Sequence, residues 1–122
     1  MTGARTALGR IAHDVGKHVA RTAMNIRDGA VPDVLVDMLA ADLFSLRDGE
    51  RASAVLGRLT AEAGAAAAAS PEVARCASLL AEADALEAAL RNREPGAVAR
   101  CAAIAREVHA LLRQAALGPE GA

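Results

Sequence analysis

Phe44 is the only aromatic residue in this 122-residue chain, which has no Trp and no Tyr. Without aromatic rings there is no stacking platform for single-stranded nucleic acid. Charge of one sign is lacking too. The formal net charge is −1, which leaves no electrostatic footprint for a polyanion, so no nucleic-acid partner is expected. Lys17 is the only lysine among 14 basic residues. With the abundance of alanine, that arginine preference reads as a GC-rich bacterial coding bias rather than phosphate recognition. No stretch reaches the roughly 18 uninterrupted apolar residues that cross a bilayer. The N-terminal region carries Arg5 and Arg10 but no apolar core of a signal peptide. No membrane association is expected, and the expected location is the cytoplasm, where two cysteines fit as reduced core residues. No alternating run rich in Val, Ile, Thr and Tyr marks a strand. A glycine-rich phosphate loop, a nucleophile elbow and paired carboxylates at the spacing of a bundle metal site are all missing. No complete enzyme active site, no metal and no cofactor are therefore expected.

Apolar residues make up 53% of the chain, and alanine, the best helix former, dominates them. The pattern predicts an all-α fold, an antiparallel four- to five-helix bundle forming a single helical domain over residues 1–118, with a short disordered tail at 119–122. A first helix is predicted over residues 5–26, with Leu8, Ile11, Ala12, Val15, Val19, Ala23 and Ile26 on one stripe. Asp28-Gly29 ends it. Pro32 opens a second helix that runs to about residue 46, with Val34, Leu35, Met38, Leu39, Ala41, Leu43 and Leu46 on a broad apolar face. Phe44 points to a different side of that helix, so the helix is either central or touches a partner, with Phe44 as the partner contact. A third helix is predicted over residues 51–69, its second half plain alanine. Ser70-Pro71-Glu72 reads as a helix start, with serine as cap, proline in the first turn and an acid beside them. That fourth helix reaches about residue 92, and a fifth follows Glu94-Pro95-Gly96 to Leu117. Val73-Ala74-Arg75-Cys76-Ala77 recurs as Val98-Ala99-Arg100-Cys101-Ala102, a spacing of 25 residues that either marks a duplicated helix or is a coincidence between alanine-rich helices.

One segment reads as chemistry: Leu8-Gly9-Arg10-Ile11-Ala12-His13-Asp14-Val15-Gly16-Lys17-His18-Val19. On a helical wheel His13 points away from the core stripe. Gly9 and Gly16 lie about one turn to either side, although a helix interior disfavours glycine by about 1 kcal/mol relative to alanine. Small neighbours leave an imidazole open to another protein. Arg10 and Lys17 bring positive charge near it, which suits attack on phosphorus and offsets the charge of a transferred phosphoryl group. Asp14 is placed to orient the ring or move its proton.

The run of apolar Leu8 and Ile11, small Ala12, then His13-Asp14-Val15 and apolar Val19 resembles the H-box of histidine-kinase dimerisation helices. It is also similar to the acceptor helix of histidine phosphotransfer domains, which are helical bundles of about this size. It departs from the first in having His18 where a proline usually follows. It departs from the second in the reversed order of Gly16 and Lys17. The resemblance implies a phosphoacceptor role for His13, and a response-regulator receiver as partner. No ATP-binding motifs follow in these 122 residues, so no autokinase activity is expected of them. His13-Asp14-Val15-Gly16-Lys17 also looks like the core of HD-type metal phosphohydrolases. That site needs an upstream histidine, and none precedes His13.

The bland reading stands beside this one. Gly9, Gly16 and Ala20 form a small-residue stripe of the kind that lets two helices pack closely. Either that stripe or the Phe44 face would serve self-association in a purely structural or oligomerising bundle. His18 reads as a helix-interface residue, and His109 has no assigned role. Asp42 falls inside the apolar face of the second helix. It is either buried, needing a partner such as Arg10, Arg21 or His18, or solvated on a rotated helix. Cys76 and Cys101 lie on core stripes of antiparallel neighbours, about ten residues or roughly 15 Å apart along the axis, beyond disulfide reach.

Overall fold

The computed structural model describes residues 9–16, 19, 22, 32–46 and 49–117. Every regular element among them is helical, and there is no strand. Residues 9–11 are helical and lead into a π-helical turn, Ala12–Gly16. Six α-helices follow among the described residues: α1 (Pro32–Phe44), α2 (Ala52–Ala63), α3 (Ala65–Ala68), α4 (Pro71–Ala85), α5 (Glu87–Arg91) and α6 (Pro95–Leu117). Their buried side chains join into one cluster reaching from Ile11 to Leu112.

Two of the predicted helices are each divided. The third breaks at Gly64, whose φ of 90° and ψ of −161° suit a residue without a Cβ. Its N–H still closes the last turn of α2 on the Thr60 carbonyl at 3.2 Å. The fourth begins as expected. Ser70 Oγ accepts a hydrogen bond from the Val73 N–H at 3.3 Å, with Pro71 at the start of α4. It then tightens at Leu86, whose N–H is shared between the Ala83 and Glu82 carbonyls at 2.9 and 3.2 Å, before α5 resumes. α5 ends on Arg93 at a positive φ of 58°. There the Arg93 and Glu94 N–H groups bond back to the Leu90 and Ala89 carbonyls at 2.9 and 3.1 Å. This is the double bond of a Schellman ending, with arginine where glycine usually stands. The Arg93 side chain reaches across to Asp33 at the start of α1, 3.0 Å away.

α4 and α6 form the backbone of the molecule. Arg75 meets Glu107 at 3.3 Å, Cys76 Sγ faces the Val108 carbonyl at 3.8 Å, and Arg100 holds Glu82 through two bonds of 2.5 and 2.7 Å. Residue numbers that rise on one helix while falling on the other make the pair antiparallel. Their facing stripes are Val73, Cys76, Leu80 and Ala83 against Cys101, Ala105, Val108 and Leu112, all buried. Small residues among them let the axes approach closely, and the 3–4 spacing is that of an amphipathic helix. This register brings the thiols nearer than the sequence geometry implies. Arg100, the neighbour of Cys101, pairs with Glu82, six positions beyond Cys76, so the cysteines stand about 9 Å apart along the axis. Both are free and buried.

α1 departs from its predicted face. Val36, Leu39, Asp42 and Leu43 are buried, whereas Val34 is 49% exposed. The helix is apolar almost all round, so hydrophobicity alone barely fixes its rotation, and tertiary contacts decide it. Of the two sequence readings of Phe44, a central helix or a partner contact, its burial fits the first. Phe44 is only 4% exposed, with the guanidinium groups of Arg51 and Arg91 at 5.4 and 5.8 Å from its ring centre. Arg51 is itself tied to Glu87 at 2.5 Å and Asp84 at 3.4 Å, and Arg91 to Glu87 at 2.9 Å. The lone aromatic ring is thus enclosed where α1, α2 and α5 meet.

Candidate functional site

The inward stripe of the N-terminal segment is Ile11, Val15, Val19 and Thr22, each essentially inaccessible. At 3.6 residues per turn, each step of four residues carries a stripe about 40° round the axis. A π-helical turn is wider, roughly 4.4 residues per turn with i→i+5 bonding, so a step of four falls short by about the same angle. The turn at Ala12–Gly16 therefore carries Val15 back against the sense in which a regular helical step of four drifts. Its outer side carries His13, which is exposed. Among the described side chains of this segment, an exposed imidazole on a widened turn, with fully buried Ile11 and Val15 anchoring the backbone around it, is the most chemically capable.

The surroundings of His13 only partly match the sequence reading. Gly9 is half-buried, with nothing within 4 Å of where a Cβ would stand. Arg10 is exposed and lies 3.9 Å from Glu62 at the end of α2. Gly16 is different: it is buried, and a Cβ there would meet Leu112 of α6 at 3.6 Å. It borders the contact between the π-helical turn and α6. Asp14 belongs to the turn by its backbone. Its side chain, together with Lys17, His18, Ala20 and Arg21, lies outside the described residues.

Asp42 is 1% exposed, and the hydroxyl of Thr22, itself fully buried, donates to its Oδ2. A buried carboxylate without partners would be costly. This bond gives Asp42 a partner on the N-terminal segment that sequence reasoning missed. Nothing local marks it, because the two residues are 20 positions apart. Glu62 as the partner of Arg10 was missed for the same reason.

Elsewhere the structure offers little that reacts. Among the described residues no group of three or more His, Cys, Asp and Glu side chains could hold a metal ion. Among the described residues, too, no helix is long and apolar enough to cross a membrane. Burial pushes the Cys76 thiol up to about 12 and that of Cys101 up to about 11, so neither is a nucleophile near neutral pH. Hydrogen bonds from Arg51 and then Arg91 hold the Glu87 carboxyl below the usual carboxylate range, as suits a structural ion pair. His109 is half-buried on α6. A groove of about 490 Å³ runs between α2, α3 and α4, lined largely by small residues such as Gly57, Ala61, Ala65, Ala68, Ala74 and Ala77. The hydroxyls at its edge are already engaged, Ser53 donating to Asp84 at 2.6 Å and Thr60 to the Leu56 carbonyl at 2.7 Å. The groove offers mainly van der Waals contact. Set beside known protein families, characterised proteins and solved structures, the chain matches none of them.

Proposed function

We propose that this protein is a small cytoplasmic protein–protein interaction or signalling-adaptor module, built as a single antiparallel helical bundle, that passes a phosphoryl group through His13. One observation carries the reading: His13 stands exposed on a π-helical turn whose neighbours Ile11 and Val15 are fully buried. Departures from α geometry of this kind occur frequently at functional sites. The fitting partner is a response-regulator receiver carrying an acyl phosphate. A ring nitrogen of His13 attacks phosphorus, the bond from phosphorus to the carboxylate oxygen breaks, and the ring releases its proton to solvent. No cofactor enters.

The test is acid-labile phosphorylation of the purified protein, wild type beside His13→Gln, with a phosphorylated receiver or phosphoramidate as donor. Label on the wild type alone is the expected result. No label on either protein, with the donor active on a control receiver, would remove the relay from consideration.

A second reading has its own support. Gly16 is covered by Leu112, as a small-residue packing stripe requires, and this favours a structural or oligomerising bundle without chemistry. Under that reading His13→Gln changes nothing, and light scattering across a concentration series shows self-association.

A further inference from the structure

Arg10, one turn before His13, is already engaged. Its guanidinium lies 3.9 Å from Glu62, and the two side chains are 62% and 50% exposed. Glu62 is also 3.9 Å from Arg58, which reaches Glu50 at 3.2 Å. Charges of alternating sign therefore run along the exposed side of α2 and reach Arg10. Building on the phosphoacceptor reading of His13, we propose that Glu62 is a positioning residue that holds Arg10 in the resting chain and yields it to the phosphoryl group once His13 is modified.

The exchange is favoured at both ends. A long, exposed ion pair contributes little, so releasing Arg10 from Glu62 is easy. Glu62 keeps Arg58 within reach, so its carboxylate is not left alone. The phosphoryl group carries more negative charge than a carboxylate and makes short, charge-assisted bonds to a guanidinium. Until the exchange, the Glu62 carboxylate both occupies Arg10 and repels an arriving anionic donor. Glu62 thereby sets how readily His13 is loaded and how long it stays loaded, without touching the reacting atoms.

The experiment uses phosphoramidate as donor. A ring nitrogen of His13 attacks phosphorus, the phosphorus–nitrogen bond breaks, ammonia leaves, and the ring proton passes to water. Loading rate and half-life of the acid-labile label are measured on wild type, Glu62→Gln, Arg10→Gln, Arg10→Lys and the exchange Arg10→Glu with Glu62→Arg, each with its Tm. Glu62→Gln should lengthen the half-life about two- to threefold, the scale of one exposed pair. Arg10→Gln should shorten it, and Arg10→Lys should restore most of it. The exchange variant rebuilds the ion pair but puts a carboxylate beside His13, so it should load poorly at an unchanged Tm. Wild-type behaviour of the exchange variant, or of both Glu62→Gln and Arg10→Gln, overturns this proposal while leaving His13 as acceptor. No label on wild type beside a working control overturns both.

Discussion

The hairpin of α4 and α6 and the N-terminal segment bury stripes of similar completeness by different means. In the hairpin, Val73, Cys76, Leu80 and Ala83 meet Cys101, Ala105, Val108 and Leu112 at ordinary helical spacing. Ion pairs at Arg75–Glu107 and Arg100–Glu82 fix the register from outside. In the N-terminal segment, Ile11, Val15 and Val19 stay inward with the help of a π-helical turn, and the last described residue of the stripe is polar, Thr22, bonded to Asp42. Regular geometry suffices where every position serves packing. The irregular turn lies in the segment that also presents an exposed histidine and, through Thr22, meets the buried Asp42 carboxylate of α1.

If the hairpin is the stabilising half, cutting its core should cost the most. Leu80→Ala removes a side chain only 1% exposed from the α4–α6 contact and should lower unfolding free energy by about 3 kcal/mol. Ile11→Ala removes an equally buried side chain from the N-terminal stripe. It should cost less, about 2 kcal/mol, because the segment beside a widened turn relaxes more easily into the vacated space. Urea denaturation of the two variants measures the contrast. Equal losses would mean that the two regions unfold as one equally cohesive unit.

The polar residue of the N-terminal stripe gives the next effect. Thr22→Val keeps the shape of the side chain but removes the hydroxyl that donates to Asp42. Depriving a buried carboxylate of one donor should cost about 1–3 kcal/mol. Thr22→Ser keeps the hydroxyl and should recover most of that loss. Thermal unfolding of the pair separates the hydrogen bond from the packing of the methyl group. A Val variant as stable as wild type would show that the other contacts of Asp42 suffice.

How much of this was legible follows from the range of each signal. Ser70 and Pro71 announce α4 because a cap acts over three residues, and the hairpin stripes are visible because their period is that of an α-helix. The break at Gly64 is hidden by alanine on both sides, which fits an unbroken helix equally well. The rotation of α1 is hidden because Val34, Leu35 and Val36 are all apolar. The Thr22–Asp42 and Arg10–Glu62 contacts join distant parts of the chain and leave no local pattern. At the candidate site, the wheel puts His13 outward, where the structure also has it. Gly16 has two sequence readings, a small neighbour of His13 and part of a packing stripe, and a π turn, advancing by about 80° per residue instead of 100°, keeps it nearer the side of Val15.

That difference over Gly16 supports the smallest and most discriminating substitution, Gly16→Ala. If Gly16 clears space around His13, a methyl group there should slow loading of the imidazole. If it only packs against α6, the methyl group arrives 3.6 Å from Leu112, an ordinary contact that needs no rearrangement. Replacing a helical glycine with alanine then gains up to about 1 kcal/mol, part of it lost if the methyl group disfavours the wide turn. The packing account expects a small rise in Tm with unchanged His13 labelling by phosphoramidate. A fall in labelling at constant or higher Tm would return Gly16 to the site. A fall in Tm would instead show that the π-helical turn itself depends on glycine, tying the irregular backbone at His13 to this one residue.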